Sequence, residues 1–124
     1  LKAGDCWCFN GPEGKITVAL PMALVPTEFT IEHLPPLPSI SRTSAPRYFE
    51  VWAYAEMSTK SRNTLLATGE YRLDGPARQV FKCSTILNDP ASLIQLRILS
   101  NHGHEEYTCL YRFQVHSSLA KLDE

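Results

Sequence analysis

Arg47-Tyr48-Phe49-Glu50-Val51-Trp52-Ala53-Tyr54 is the stretch that decides the fold class. A strand turns successive side chains to opposite faces. This run therefore places Phe49, Val51 and Ala53 on one face and Tyr48, Glu50, Trp52 and Tyr54 on the other. Residues 27–34 repeat the pattern, with Phe29, Ile31 and His33 against Glu28, Thr30 and Glu32. Outward from these, residues 15–20, 65–72, 79–83, 93–99 and 110–116 bring the expectation to about seven strands.

The punctuation between them is turn chemistry: Asn10-Gly11-Pro12, Asp74-Gly75-Pro76, Asn88-Asp89-Pro90 and Asn101-His102-Gly103 all tolerate bent backbone. Pro35-Pro36-Leu37-Pro38 forbids both helix and ladder pairing, so residues 34–46 are expected to form a long irregular surface loop. The polar residues 117–124 are expected to fray. No stretch carries an apolar stripe of helical length. Short strands without crossover helices pack as two antiparallel sheets, which predicts an all-β sandwich of jelly-roll or discoidin-like type. A length of 124 residues with 44% hydrophobic content suits one such domain, residues 1–124.

Charge and cysteine usage narrow the function classes. Twelve Lys and Arg against thirteen Asp and Glu give a net charge of -1 without a basic run, which argues against nucleic acid as a partner. The apolar runs 16–22 and 93–99 are far below the ~20 residues that span a bilayer, so no direct membrane insertion is expected of this stretch. The four cysteines, Cys6, Cys8, Cys83 and Cys109, lack the spacing of a structural zinc site. A disulfide suits them better. Cys6 and Cys109 lie near the two ends, which are often neighbours in a sandwich. Such a bridge would close about 100 residues, is worth ~4–5 kcal/mol on the loop model, and belongs in an oxidising compartment.

His102-Gly103-His104-Glu105-Glu106 gathers two imidazoles and two carboxylates that could ligate a metal. Further ligands at a matching spacing are missing, so a local structural use is the better reading. His33 reads as a half-buried histidine of a strand face and His116 as a strand end. No nucleophile elbow and no phosphate-cradling glycine loop is present. Glu105 and Glu106 diverge if extended, which defeats a shared-proton pair. The chain is therefore expected not to be an enzyme. Tyr107, Cys109, Tyr111 and Phe113 would share one face of a final strand if it begins early.

Several segments in order along the chain resemble the SUN domain family: Gly4-Asp5-Cys6-Trp7-Cys8-Phe9, Ile31-Glu32-His33, Ser44-Ala45-Pro46, and the run from Leu99 through Asn101-His102-Gly103-His104-Glu105-Glu106-Tyr107-Thr108-Cys109 to Tyr111-Arg112-Phe113 and His116. The resemblance implies a β-sandwich in the perinuclear space of the nuclear envelope, belonging to an inner nuclear membrane protein of the LINC complex. Its lid, stalk and transmembrane segment would lie upstream of this stretch. It also implies a pairing of Cys6 with Cys109, leaving Cys8, which stands in place of the usual proline and could compete for the bridge, and Cys83 as free thiols, and homotrimers in the family.

The implied partner is the proline-rich, carboxylate-ended tail of a KASH protein of the outer nuclear membrane. It would be held by Ser44, Tyr107 and Tyr111 with His33 beside them. No cofactor is implied beyond a monovalent cation such as potassium at the first loop, where Gly4 and Asp5 match the end of the family's cation loop. His102 stands where tryptophan is usual. Two other readings come from the strands: a discoidin-like carbohydrate-binding module using Trp52 and Tyr54 as stacking surfaces, and a structural or oligomerising domain without a peptide ligand.

Overall fold

The computed structural model describes residues 6–34, 41–54 and 63–117. Among them the alternating stretches form nine strands: β1 (Trp7–Asn10), β2 (Gly14–Leu24), β3 (Glu28–Glu32), β4 (Tyr48–Tyr54), β5 (Asn63–Glu70), β6 (Arg78–Lys82), β7 (Ala91–Ile98), β8 (Tyr107–Leu110) and β9 (Arg112–His116). They build a four-stranded sheet in the order β2-β7-β4-β5, a three-stranded sheet β6-β3-β9, and a two-stranded ribbon β1-β8. Every pairing is antiparallel. The expected all-β sandwich is therefore present, with nine described strands in place of seven.

The core lies between the two larger sheets. Phe49, Val51 and Ala53 from β4 and Ile94, Leu96 and Ile98 from β7 meet Phe29 and Ile31 from β3, all of them buried. Phe49 of one sheet meets Phe81 of the other edge to face, with ring centroids 4.7 Å apart. That geometry sets the positive ring edge against the negative ring face.

Departures from simple alternation have local causes. Thr30 is buried although it faces away from Phe29 and Ile31. β3 is central in its sheet, and His116 covers Thr30 with an Nε2–Oγ1 contact of 2.6 Å. His116 is thus more than a strand end. In β5, Leu66 and Ala67 are both buried because the register jumps there: Val51 faces Ala67, and Trp52 faces Leu65. The extra residue is Leu66, whose freed carbonyl accepts the Ser84 N–H at 2.8 Å, as a bulge allows. β2 continues past residue 20 through Pro21, with a register shift between Ala19 and Leu24. A proline that cannot donate is tolerated because β2 is an edge strand.

The final strand of the sequence reading is two strands. β8 pairs with β1, β9 pairs with β3, and Tyr111 is the bend between them. Residues 107, 109, 111 and 113 therefore do not share one sheet face. Of the loop expected over residues 34–46, residues 35–40 lie outside the described residues. Residues 41–46 carry only an isolated bridge, from Pro46 to Asn101. Residues 118–124 of the expected frayed tail also lie outside the described residues.

Gly69 tests the packing between the sheets. A Cβ there would come 2.7 Å from Phe49 Cζ and 3.0 Å from Phe81 Cδ1, and both rings sit in the core contact. Gly69→Ala is expected to destabilise the protein by about 1–3 kcal/mol through overpacking. The readout is a lower urea midpoint at unchanged slope.

Candidate functional site

β1 and β8 lie in register with Trp7 opposite Leu110, Cys8 opposite Cys109, Phe9 opposite Thr108 and Asn10 opposite Tyr107. Polar contacts lock that register. Thr108 Oγ1 donates to the Gly11 carbonyl at 2.8 Å, and the Gly11 N–H donates to the Glu106 carbonyl at 2.9 Å. Gly11 sits at φ +78°, a backbone region that L side chains rarely adopt.

The register also corrects the expected bridge. The disulfide joins Cys8 to Cys109, with their Cα atoms 4.1 Å apart, and Cys6 and Cys83 are free thiols. Cys8 is directly opposite Cys109 in the ladder, whereas Cys6 precedes β1. Cys6 is nonetheless close by, its Sγ 3.3 Å from that of Cys8.

Two further chain segments converge on this ribbon. The Cys109 N–H donates to the Ser44 carbonyl at 2.8 Å, which ties residues 41–46 to β8. The Tyr111 N–H donates to the Glu32 carbonyl at 3.1 Å, which ties the bend to the end of β3. The result is a cleft of about 430 Å³ whose walls include His33, Ser44, Tyr107 and Tyr111 together with Cys6, Cys8 and Cys109. The four residues expected at a peptide site are therefore neighbours. Leu34 and Ser41 complete the lining and were not singled out from sequence. Gly4 and Asp5, the expected remnant of a cation loop, lie outside the described residues.

His33 is the least conventional group in the cleft. It is 3% exposed, its Nδ1 has no hydrogen-bond partner, and its Nε2 lies 3.5 Å from Ser44 Oγ. The ring packs edge-on against Tyr111, centroids 4.8 Å apart. Burial, with smaller contributions from the positive fields of Arg42 and His102, pushes its pKa down to about 4. The imidazole is therefore neutral near pH 7. Nε2 is the ring nitrogen with a partner in range, so the tautomer protonated there donates to Ser44 Oγ and leaves only a lone pair at Nδ1. The serine's own hydroxyl proton is then free to turn into the cleft. The Tyr111 hydroxyl is held above the ordinary tyrosine range, first by burial and then by its hydrogen bond with the Cys6 thiol.

The loop after β7 supports the cleft. Asn101 Nδ2 donates to the His104 and Tyr107 carbonyls and to Thr108 Oγ1, and its Oδ1 accepts the Gly103 N–H. His102 Nε2 donates to the Tyr71 carbonyl at 2.7 Å. His104 Nδ1 accepts the N–H groups of Glu106 and Tyr107, and its ring lies 3.9 Å from that of Tyr107. Both imidazoles are engaged in holding Tyr107 and the loop.

On the outer face of β4, Arg97 lies over the Trp52 ring, 4.6 Å from its centroid, and donates to Tyr54 Oη at 2.8 Å. The stacking surface expected for a sugar is thus partly covered.

The Sad1 / UNC-like C-terminal family model matches residues 1–119. "SUN domain-containing protein 2" of Mus musculus is 40% identical over 122 residues, 97% of this chain and 17% of that protein. "SUN domain-containing protein 1" of Homo sapiens is 40% identical over 124 residues, 98% of this chain and 16% of that protein. "Nuclear migration and anchoring protein unc-84" of Caenorhabditis elegans is 33% identical over 98% of this chain, which spans 11% of its length. Among solved structures, an F5/8 type C domain from Bacteroides fragilis superposes with a TM-score of 0.71 at 13% identity, over 94% of this chain and 75% of that one. A family 32 carbohydrate-binding module from Streptococcus pneumoniae EndoD gives 0.69 at 8% identity, over 91% and 75%. At those identities the likeness concerns the fold alone.

The buried histidine makes stability depend on pH with a definite sign. Between its folded pKa of about 4 and its unfolded value of 6.5, the unfolded chain binds more protons at this site. Its contribution is complete above pH 6.5 and is lost as pH falls towards 4, by up to about 3 kcal/mol. Urea unfolding at pH 7 and pH 5 should show a larger loss for the native chain than for His33→Asn. Parallel losses in the two proteins would contradict the assignment.

Proposed function

Because this chain belongs to the Sad1 / UNC-like C-terminal family, the SUN domains, we propose that it is a non-enzymatic binding module of the nuclear envelope. Its cleft holds the C-terminal tail of a KASH-type outer nuclear membrane protein. In this reading the domain stands in the perinuclear space as part of an inner nuclear membrane protein and links nucleus to cytoskeleton. The observation that carries it is the convergence of Ser44, Tyr107, Tyr111 and His33 on one cleft from three separate chain segments.

The chemistry suits a carboxylate. The backbone N–H groups of Cys109 and Tyr111 are already committed to Ser44 and Glu32. The donors for a ligand are therefore side-chain hydroxyls: Ser44, oriented by neutral His33, Tyr107, and Tyr111 where a ligand displaces its contact with the Cys6 thiol. Hydroxyl donors to an ionised acceptor make the stronger class of hydrogen bond. Tyrosine rings also offer flat apolar surface to prolines, which enter already stiff and lose little entropy. Arg42, whose charge is felt at His33, adds a favourable field for an anion.

Two disulfide-linked strands and a loop hydrogen-bonded to them give the cleft firm walls, as a module that transmits tension requires. Arg97 over the Trp52 ring leaves less open stacking surface for the carbohydrate reading, which is the weaker of the two.

A proline-rich peptide ending in a free carboxylate should bind in fluorescence anisotropy, and its C-terminally amidated form should bind at least about tenfold more weakly. Equal affinity of the two would overturn the carboxylate site. Tyr111→Ala and Ser44→Ala should each weaken the free-acid peptide by about tenfold, while far-ultraviolet circular dichroism stays unchanged.

A further inference from the structure

Thiol–disulfide exchange needs a thiolate within reach of a disulfide sulfur, and its rate rises when the leaving thiolate is well stabilised. The Sγ atoms of Cys6, Cys8 and Cys109 all lie within 4.8 Å of one another, and Cys6 Sγ is 3.3 Å from Cys8 Sγ. A free thiol thus sits against an intact bridge inside the cleft. Cys6 lies before β1, so its side chain can move without breaking the β1-β8 ladder.

We propose that these three cysteines form an exchange site in which the bridge passes between Cys8–Cys109 and Cys6–Cys109. The Cys6 thiolate attacks Cys8 Sγ, the sulfur 3.3 Å away, and the Cys8–Cys109 electron pair leaves on Cys109 Sγ; the Cys109 thiolate then attacks Cys6 Sγ, and the Cys6–Cys8 electron pair leaves on Cys8 Sγ. The proton lost by Cys6 is taken up by Cys8. One S–S bond forms as one breaks, and no oxidant or reductant is consumed.

Burial sets the direction of the second step. A Cys109 thiolate, at a position 5% exposed, sits in a desolvated site and is driven to re-form a bridge, whereas Cys8 is exposed and its thiolate leaves into water. The intermediate Cys6–Cys8 ring spans Trp7 and pulls that residue out of its pairing with Leu110, so it does not accumulate. The present bridge spans 101 positions, and moving it by two positions leaves the loop-closure entropy nearly unchanged. Loop closure therefore does not discriminate between the two isomers, and each presents a different thiol to the cleft: Cys6 in one, Cys8 in the other. The exchange does not require that the cleft hold a peptide.

The test is disulfide mapping of the full chain, incubated without reductant at mildly alkaline pH. Samples are quenched in acid over time, free thiols are blocked with N-ethylmaleimide, and the chain is digested unreduced with chymotrypsin. Cleavage after Trp7 separates Cys6 from Cys8. Both Cys6–Cys109 and Cys8–Cys109 peptides are expected, with reciprocal label on Cys8 and Cys6 and the minor isomer at about a tenth of the molecules or more. A single isomer at every time point, or label on Cys109, overturns the proposal. Cys8→Ser should bridge Cys6 to Cys109, and a folded Cys8→Ser protein with Cys109 free would overturn it as well. The native-chain mapping decides the matter even if that variant does not fold.

Discussion

The antiparallel register of β1 against β8, welded at Cys8 and Cys109, is the constraint on which the rest of the site depends. It brings the first described residues alongside a strand about 100 positions away. On the loop model such a closure removes ~4–5 kcal/mol of unfolded-chain entropy. Without it, β1 would be a four-residue strand with a single neighbour, too short to hold its place by ladder bonds alone. Cys6, Tyr107 and Tyr111 would then lose their common wall. The contacts of Gly11 with Glu106 and Thr108 are the hydrogen-bonded counterpart of the same joint.

Around that joint, polar groups are arranged so that most are already used by the protein. Asn101 satisfies the loop that presents Tyr107, and His102 and His104 are engaged with backbone. The groups left to a ligand are few, and they are hydroxyls beside a neutral histidine. Desolvation, which keeps His33 uncharged, also strengthens the hydrogen bond between its ring and Ser44 at the buried end of the cleft. A cleft with few uncommitted donors distinguishes ligands by whether those donors are met. In the function proposed above, selectivity for an anionic terminus would follow from this scarcity as much as from attraction.

The sandwich beneath is a frame with deliberate irregularities. The bulge at Leu66 buries two successive residues and ties β5 to Ser84. Pro21 falls within the register shift of the β2 edge, and the Tyr111 bend sends one run of chain into two different sheets. The last of these matters most for the cleft. It sets Tyr111 where the ribbon and the three-stranded sheet meet, against the ring of His33.

How much of this could be read beforehand follows from the range of each interaction. The alternation at Phe49, Val51 and Ala53, and the turn residues between runs, determined the fold class, because side-chain period and backbone tolerance are local properties. The family motifs named Ser44, Tyr107, Tyr111 and His33, and these residues do share one cleft. The bridge was not legible. Cys6 and Cys8 lie on the same side of an extended chain, two residues apart, and only the pairing register with β8 decides which of them faces Cys109. Nor could periodicity reveal the bend at Tyr111, since both of its flanks read as one strand until two different partners claim them. Pairing between distant segments is a tertiary decision, made by which edges meet, and it was there that the chemistry of the cleft was settled.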